Sequence, residues 1–186
     1  MTLYLHMRER NVTSLGPGKR FGVWVAGCHR RCPGCVAPES HDMTRGDAVD
    51  VGALAWEILT SGAEGITISG GEPFLQAEAL TQLLQIIHSK RDMGVIVYTG
   101  YLLEELSDVP DAQLLLAQTD LLVDGPYVRE LDDGRSLRGS SNQRVHALTS
   151  RYAHQLHLYG AEGREQQVFH HGAVTHWVGI PADGND

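Results

Sequence analysis

The chain has 186 residues, with 15 lysines and arginines against 23 aspartates and glutamates, for a formal net charge of −8. This acidic balance argues against a general nucleic-acid surface, because phosphate binding depends on clustered basic residues. No apolar stretch approaches the roughly 20 residues that cross a bilayer, and the amino terminus lacks the order of a signal peptide. We therefore expect one cytoplasmic domain over residues 1–186, with reduced thiols and no membrane partner.

Strand-like and helix-like patterns alternate along most of the chain. Residues 21–26 form a short, almost wholly apolar run, which is typical of a strand buried on both faces. Asp50 can cap a helix with apolar residues at helical spacing, and Gly62 can end it. The next predicted elements are a strand at 65–69, a helix over 80–87, a strand at 95–98, two helical pieces over 102–118 separated at Pro110, and a strand at 120–124.

This alternation predicts the α/β class, with parallel strands joined by crossover helices. Such folds bind ligands at the carboxyl ends of their strands. An unusual group of residues follows each predicted strand: Cys28, then Gly70 to Glu72, then Thr99 and Gly100, then Asp124 and Gly125. We therefore expect the functional site at this edge of the sheet.

The carboxyl-terminal part of the chain has a different pattern. Short apolar segments up to Ile180, with turn points at Gly160, Gly163 and Gly172, predict antiparallel strands or a hairpin over 147–186, appended to a core over about 11–146. Residues 181–186 are expected to be frayed.

The carboxyl-terminal part of the chain is also rich in histidine. Exposed strand and turn positions explain these histidines more simply than a second metal site, and the adjacent His170 and His171 are expected on opposite faces of a strand. Six of the ten histidines lie here: His146, His154, His157, His170, His171 and His176.

All three cysteines of the chain lie close together, as Cys28, Cys32 and Cys35 in the spacing C-x3-C-x2-C. A [4Fe-4S] cluster normally takes four thiolates, one for each iron, so three leave one iron open to another ligand. An open cluster favours chemistry over simple electron transfer. The alternative is a zinc site with His29 or His41 as the fourth ligand. The odd number of cysteines disfavours a disulfide framework.

The segment Gly70, Gly71, Glu72, Pro73 joins a predicted strand to a predicted helix. Glycines allow a ligand to approach the backbone, and the Glu72 carboxylate suits an ammonium group such as that of an amino acid. The alternative is a tight turn with Pro73 at the first helical position.

Three further segments remain open to more than one interpretation. Arg30 and Arg31 are either solvated or provide a positive field beside the cysteines. The polar run 138–143 is an ordinary loop or a set of donors for a carboxylate or ribose. Residues 16–20 form a turn that could line the site, because their spacing is not that of a phosphate loop.

Six motifs, taken in order, resemble the radical S-adenosylmethionine (SAM) superfamily and, within it, the anaerobic ribonucleotide reductase activating proteins. Each motif alone is weak, but six in this order are specific. The match covers about residues 11–146 and consists of GPG-x-R (16–20), GC-x3-CPGC (27–35), SGGEP (69–73), YTGY (98–101), LVDGPYV (122–128) and RGSSNQ (138–143).

This resemblance implies an incomplete TIM-type barrel in which Cys28, Cys32 and Cys35 hold a [4Fe-4S] cluster and SAM chelates the fourth iron. It implies reductive cleavage of SAM to methionine and a 5′-deoxyadenosyl radical, which removes a hydrogen atom from a glycine of a partner enzyme, here an anaerobic ribonucleotide reductase. It also implies a low-potential electron donor such as flavodoxin or ferredoxin. The alternatives are a stand-alone radical SAM enzyme acting on a peptide or small molecule, and a non-catalytic zinc or electron-transfer module.

The resemblance also assigns SAM contacts to residues of these motifs. Gly70, Gly71 and Glu72 would hold the methionine ammonium, and the backbone of 34–36 would meet the adenine. Gly34 stands where much of the superfamily has an aromatic residue, and Pro126 where some relatives have a lysine, so Arg138 or Arg144 is expected to pair with the SAM carboxylate. The predicted SAM contacts are Gly34, Cys35, Val36, Ser69, Gly70, Gly71, Glu72, Thr99, Asp124 and Arg138.

Overall fold

A computed structural model of the chain describes residues 1–135, 137–157, 159 and 163–179. Within these residues the main sheet has seven strands. In chain order they are β1 (Thr2–Val12), β2 (Arg20–Val25), β3 (Asp47–Asp50), β4 (Gly65–Gly70), β5 (Gly94–Tyr98), β6 (Leu121–Asp124) and β7 (Arg144–Ala147). Their order across the sheet is β3-β1-β2-β4-β5-β6-β7.

The centre of the sheet is parallel and its margins are antiparallel. β2, β4, β5 and β6 run parallel, and the crossovers between them contain the helices α1 (Val51–Thr60), α2 (Ala77–His88) and α3 (Ala112–Leu116). β1 and β3 extend one side and β7 the other, each antiparallel to its neighbour. The predicted α/β class is therefore confirmed, and the sheet is open, as an incomplete barrel requires.

The predicted helix ends are confirmed by the local geometry. The Asp50 side chain accepts a hydrogen bond of 3.0 Å from the Ala53 amide and so caps α1. Gly62 follows this helix at φ 78°, a left-handed conformation that glycine adopts without strain. In the 102–118 segment the first helical piece is a 3-10 helix, Leu103–Asp108, and α3 begins beyond Pro110.

Three strands of the sheet are absent from the sequence-based prediction. They are β1, β3 and β7, and all pair antiparallel outside the parallel centre. β1 mixes buried Leu3 and Leu5 with exposed polar residues, which hides its strand pattern. The sheet thus begins at Thr2, ahead of residue 11, where the core was predicted to begin. The division of the chain into one core and an appended segment stays a prediction.

The main core packs the helices against the sheet. Leu80, Leu83 and Leu84 of α2 are fully buried in one apolar cluster with Ile66 and Ile68 of β4. Burial of a leucine or isoleucine side chain stabilises the fold by about 1.5–3 kcal/mol.

The described helices include none long and apolar enough to span a membrane.

A buried arginine joins the central strands. Arg20 is fully buried, and its guanidinium donates to the Thr67 hydroxyl and to the backbone carbonyls of Ile66 and Gly94. It also donates to the Tyr152 hydroxyl at 3.1 Å. The 16–20 segment is therefore a turn, as predicted, but its Arg20 side chain links neighbouring strands of the sheet by hydrogen bonds.

The carboxyl-terminal hairpin is confirmed. Its strands β8 (Gln167–His171) and β9 (Val174–Val178) pair antiparallel around a turn that contains Gly172. Phe169 and Val178 pack on Val12 and Leu15, in an apolar cluster separate from the main core.

The remaining carboxyl-terminal predictions have mixed outcomes. His170 and His171 contact Thr175 and Glu9 respectively, on opposite faces of β8. His157 lies in a turn and not in a strand, since the chain there follows a 3-10 helix, Ala153–Gln155. Gly160, Ile180 and the predicted frayed segment 181–186 lie outside the described residues.

Candidate active site

A cleft of about 1000 Å³ opens at the carboxyl ends of the parallel strands. It extends from the loop after β2 to β1 and the carboxyl-terminal hairpin. A cleft therefore lies at the strand ends, where the sequence predicts the functional site. The predicted site residues that line this cleft are Cys28, Cys32, Cys35, Val36, Ser69, Gly70, Gly71, Glu72 and Thr99.

The cysteine loop, residues 27–35, is fixed at its start by the segment that follows it. The Gly27 amide donates to the Ser40 carbonyl at 2.8 Å, and the Cys28 amide donates to the His41 carbonyl at 3.0 Å. Within the loop the Cys35 amide donates to the Cys32 carbonyl at 3.1 Å. The three thiols are free and half-buried. Three soft ligands are thus held in the wall of one cleft.

The electrostatics of the loop favour a bound cation. Burial raises the pKa of the Cys35 thiol, and the nearby Cys32 and Cys28 sulfurs raise it further. Three adjacent thiolates repel one another, and a bound metal relieves that repulsion and keeps them deprotonated. The donor set therefore fits an iron-sulfur cluster held by three cysteines.

One of the two histidines considered for zinc lies beside a cysteine. His41 Nε2 is 3.3 Å from Cys35 Sγ, within hydrogen-bond distance of the sulfur. His29 Nε2 instead contacts the Tyr101 hydroxyl at 3.0 Å. Geometry alone thus leaves His41 as a possible zinc ligand or as a hydrogen-bond partner of a cluster thiolate.

Glu72 lies beneath the turn after β4 and is 1 % exposed. Its Oε1 accepts from the Phe74 amide at 3.1 Å and the Thr99 hydroxyl at 2.8 Å, and its Oε2 accepts from the Gly100 amide at 2.9 Å. Burial raises the pKa of this carboxyl, and the three hydrogen bonds oppose the rise. A carboxylate has about four acceptor positions, so one remains for a ligand.

The two glycines before Glu72 allow a close approach between backbones. A Cβ at Gly71 would lie 2.2 Å from the Gly27 carbonyl oxygen, and one at Gly70 would lie 2.4 Å from the Val25 amide nitrogen. Gly70 also has a φ of 107°, which disfavours any side chain. These glycines therefore bring the turn after β4 against the start of the cysteine loop. The sequence analysis attributed the missing Cβ atoms of these glycines to the approach of a ligand, whereas in the structure they allow two backbone segments to pack closely.

A polar cluster forms the rim of the cleft next to Glu72. The Arg30 guanidinium lies 4.3 Å from the centroid of the Tyr101 ring and donates to Glu105 at 2.6 Å. Arg30 is therefore engaged in a stacked ion pair and not simply solvated. Sequence reasoning missed Glu105, whose only signal was its position in a predicted helical segment.

Three predicted SAM contacts lie outside the lining of the cleft: Gly34, Asp124 and Arg138. Asp124 is fully buried, and its carboxylate accepts from Arg144 and from the Leu103 amide at 2.7 Å; its Oδ2 also lies 3.1 Å from His146 Nε2. Arg138 pairs with Asp133. Binding of SAM by Asp124, Arg138 or Arg144 would therefore require these pairs to open.

Comparisons with known proteins decide the family. Residues 14–146 match the model of a 4Fe-4S single cluster domain. The chain is 34 % identical over 143 residues to an anaerobic ribonucleoside-triphosphate reductase-activating protein of Vibrio cholerae, a match covering 72 % of this chain and 91 % of the relative. The corresponding protein of Escherichia coli K12 is 33 % identical over 145 residues, with the same shares covered. The chain belongs to this activase family.

A shorter match extends the similarity to another activating enzyme. The pyruvate formate-lyase-activating enzyme of Listeria monocytogenes is 33 % identical over 88 residues, which cover 44 % of this chain and 36 % of the relative. Membership of the activase family confirms the resemblance to radical SAM enzymes, with a [4Fe-4S] cluster and SAM as cofactors. The non-catalytic zinc or electron-transfer alternative is thereby disfavoured. The family domain ends at residue 146, so the carboxyl-terminal hairpin lies beyond it.

Proposed function

We propose that this protein installs a glycyl radical on an anaerobic ribonucleotide reductase. The observation that carries the proposal is that the cysteine loop and the turn after β4 line one cleft in a chain of the activase family. When bound, the cluster would supply the electron for cleavage of SAM. A product of that cleavage would then remove a hydrogen atom from a glycine of the partner, which leaves the radical on that glycine.

The cysteine loop is proposed to hold the cluster through Cys28, Cys32 and Cys35. Its thiols are half-buried, so they combine access to the cleft with partial exclusion of water. A hydrogen bond from His41 to the Cys35 sulfur would stabilise negative charge there and tune electron acceptance. Since the loop offers three thiolates, one iron is left for the amino and carboxylate groups of SAM.

Glu72 is proposed to accept a hydrogen bond from the amino group of SAM through its remaining acceptor position. The Thr99 hydroxyl and the Gly100 amide orient the carboxylate, so it needs no reorganisation when the ligand arrives. Ser69 and Thr99 lie at neighbouring strand ends and line the same cleft. The backbone of 34–36 is proposed to meet the adenine, beside the half-exposed Val36.

The macromolecular partners are proposed to meet the open side of the cleft. A partner glycine must reach the cleft, and its loop would then exclude water from the reacting groups. Arg31 is exposed beside the cysteines and offers a positive point for an acidic flavodoxin or ferredoxin. These reduced thiols are suited to the cytoplasm.

One observation favours a second candidate function. Residues of the carboxyl-terminal hairpin, among them Thr175 and Trp177, line the cleft together with the cysteines. A hairpin in that place could form the pocket wall of a stand-alone radical SAM enzyme acting on a peptide or small molecule. The two functions differ in whether a second protein receives the radical.

The test uses anaerobically reconstituted protein, SAM, a reductant and purified anaerobic ribonucleotide reductase from the same organism. We expect a glycyl radical signal in electron paramagnetic resonance (EPR), with 5′-deoxyadenosine formed in proportion. Both should be lost with Cys28→Ser, and the radical should be lost with a reductase whose radical glycine is alanine. Formation of 5′-deoxyadenosine with a silent wild-type reductase would overturn the proposal and support the second candidate.

A further inference from the structure

The carboxyl-terminal hairpin brings two histidines to a buried carboxylate of β1. Glu9 is 6 % exposed and lies on β1. Its Oε2 is 2.5 Å from His171 Nε2 and 3.9 Å from His176 Nδ1. One ligand atom from each of the three residues lies within 4.8 Å of the others. The sequence gives little sign of this cluster, because Glu9 and His171 are 162 positions apart.

The pairing of the hairpin explains why both histidines face β1. Phe169 is opposite His176, and His171 is opposite Val174. Residues two apart on a strand share a face, so His171, His176 and Phe169 lie on one side of the hairpin. Phe169 packs in the apolar cluster with Met7 and Val12 of β1. The packing of the hairpin therefore directs its two histidines at Glu9.

Two polar features of the cluster suit a bound cation. His176 Nδ1 is buried and has no hydrogen-bond partner among the described residues, although buried polar atoms are normally paired. The other carboxylate oxygen of Glu9 accepts from the Arg10 amide at 2.9 Å. Such a second hydrogen bond fixes the orientation of a metal-binding carboxylate.

The donor set suits zinc. Two histidines and one glutamate form a known zinc ligand set, with a water or another ligand in the fourth position. Tetrahedral ligands at about 2.0–2.1 Å from zinc are about 3.3 Å apart. The present separations, 2.5 and 3.9 Å from the shared Glu9 oxygen, bracket that value. Small side-chain movements would complete the site.

We propose that Glu9, His171 and His176 bind one Zn²⁺ ion, which fastens the carboxyl-terminal hairpin to β1. The open end of the hairpin is already held, because the Gln167 side chain accepts from the Thr13 amide at 2.6 Å and the Ser14 amide at 3.0 Å. The zinc holds the end near the turn. All three ligands line the cleft.

This site is separate from the cysteine loop in residues and in ligand chemistry. The hairpin histidines lie outside the family domain at 14–146. The zinc ligands are nitrogen and oxygen, whereas the cluster ligands are sulfur. Zinc binding can therefore be measured on protein whose cysteines are already occupied by iron, and its failure would leave the proposed activase function unaffected.

The experiment adds Zn²⁺ to cluster-loaded, full-length protein under anaerobic conditions, removes the excess and measures zinc content and the zinc K-edge X-ray absorption spectrum. We expect one zinc per chain, with nitrogen and oxygen ligands at about 2.0–2.1 Å and no sulfur shell at about 2.3 Å. His171→Ala combined with His176→Ala should weaken zinc binding by more than about tenfold, and Glu9→Gln should weaken it as well. His170→Ala is the matched control and should bind zinc normally, because His170 lies on the opposite face and contacts Thr175.

Hydrogen exchange of the hairpin amides gives a second readout. Zinc should slow exchange over residues 167–178 in the wild type and in His170→Ala, but not in the double histidine variant. Circular dichroism of the variants checks that the chain remains folded. Absence of retained zinc, a sulfur shell around it, or equal zinc affinity in wild type and double variant would overturn the proposal.

Discussion

Replacement of Glu72 by glutamine tests the proposed binding of the SAM amino group with little change in the shape of the side chain. The wild-type carboxylate accepts from Thr99 and Phe74 through one oxygen and from Gly100 through the other. In the Glu72→Gln variant the side chain loses its negative charge, and its new NH₂ group cannot accept from the Gly100 amide. The variant therefore removes the charge that strengthens the hydrogen bond from the SAM amino group and one of the bonds that orient the side chain.

The expected loss follows from the value of a charge-assisted hydrogen bond. Such a bond contributes about 1.5–3 kcal/mol, which corresponds to a roughly 10- to 150-fold increase in the Kd for SAM. Because the raised pKa of Glu72 brings its protonation closer to neutral pH, wild-type affinity should also decline as the pH falls through that pKa. The glutamine variant has no such group and should show no corresponding decline.

The assay is calorimetric titration of SAM into cluster-loaded protein under anaerobic conditions. Glu78→Gln is the matched control, because it removes one negative charge from an exposed position at the start of α2. Exposed substitutions change free energies by about 0.5 kcal/mol or less, which is about a twofold change in affinity. Iron content and thermal unfolding show whether Glu72→Gln keeps its cluster and fold. An unchanged Kd in a folded, cluster-loaded variant would refute the assignment of Glu72 to the SAM amino group.

Three further predictions concern the cluster and the strand ends. Cys35→Ser should lower the iron content of reconstituted protein below about four per chain, and full retention of iron would contradict the ligand assignment. In an EPR-monitored redox titration, His41→Ala should make the cluster potential about 20–60 mV more negative, equivalent to the loss of one hydrogen bond of about 0.5–1.5 kcal/mol. His29→Ala is the control in the cysteine loop. Equal potentials in the wild type and His41→Ala would exclude the hydrogen bond between His41 and Cys35. Asp124→Asn should destabilise the fold by about 2 kcal/mol at neutral pH. Burial disfavours the Asp124 charge, but hydrogen bonds led by Arg144 outweigh burial and lower the pKa of the carboxyl. In denaturant titrations, the stability difference between wild type and variant should therefore persist above about pH 4 and vanish as the pH falls through the folded pKa. A stability difference independent of pH would contradict this prediction.

Local sequence signals predicted well which residues meet at the carboxyl edge of the parallel strands. The apolar run of β2 and the cysteine spacing are contiguous, so Cys28, Cys32 and Cys35 could be placed after a strand without any long-range information. Glu72 also follows its strand directly. Parallel strands align their carboxyl ends, which explains why these groups meet in one cleft.

The rest of the structure depends on contacts that periodicity does not encode. β1 was missed because its polar residues face other elements: Arg8 donates to Glu57 of α1 at 2.9 Å, and Glu9 meets the hairpin histidines. Arg20 gave no sign that its guanidinium would be buried among strand carbonyls. Such partners are distant in sequence, and only the folded chain brings them together.

We propose that SAM binds directly to an iron that the polypeptide leaves open beside Cys28, Cys32 and Cys35. EPR spectroscopy of the reduced, oxygen-free protein with and without SAM can detect this binding at the cluster itself. We predict that SAM changes the g-values and line shape of the cluster signal, because the open iron gains nitrogen and oxygen ligands. Identical spectra at saturating SAM would contradict the account.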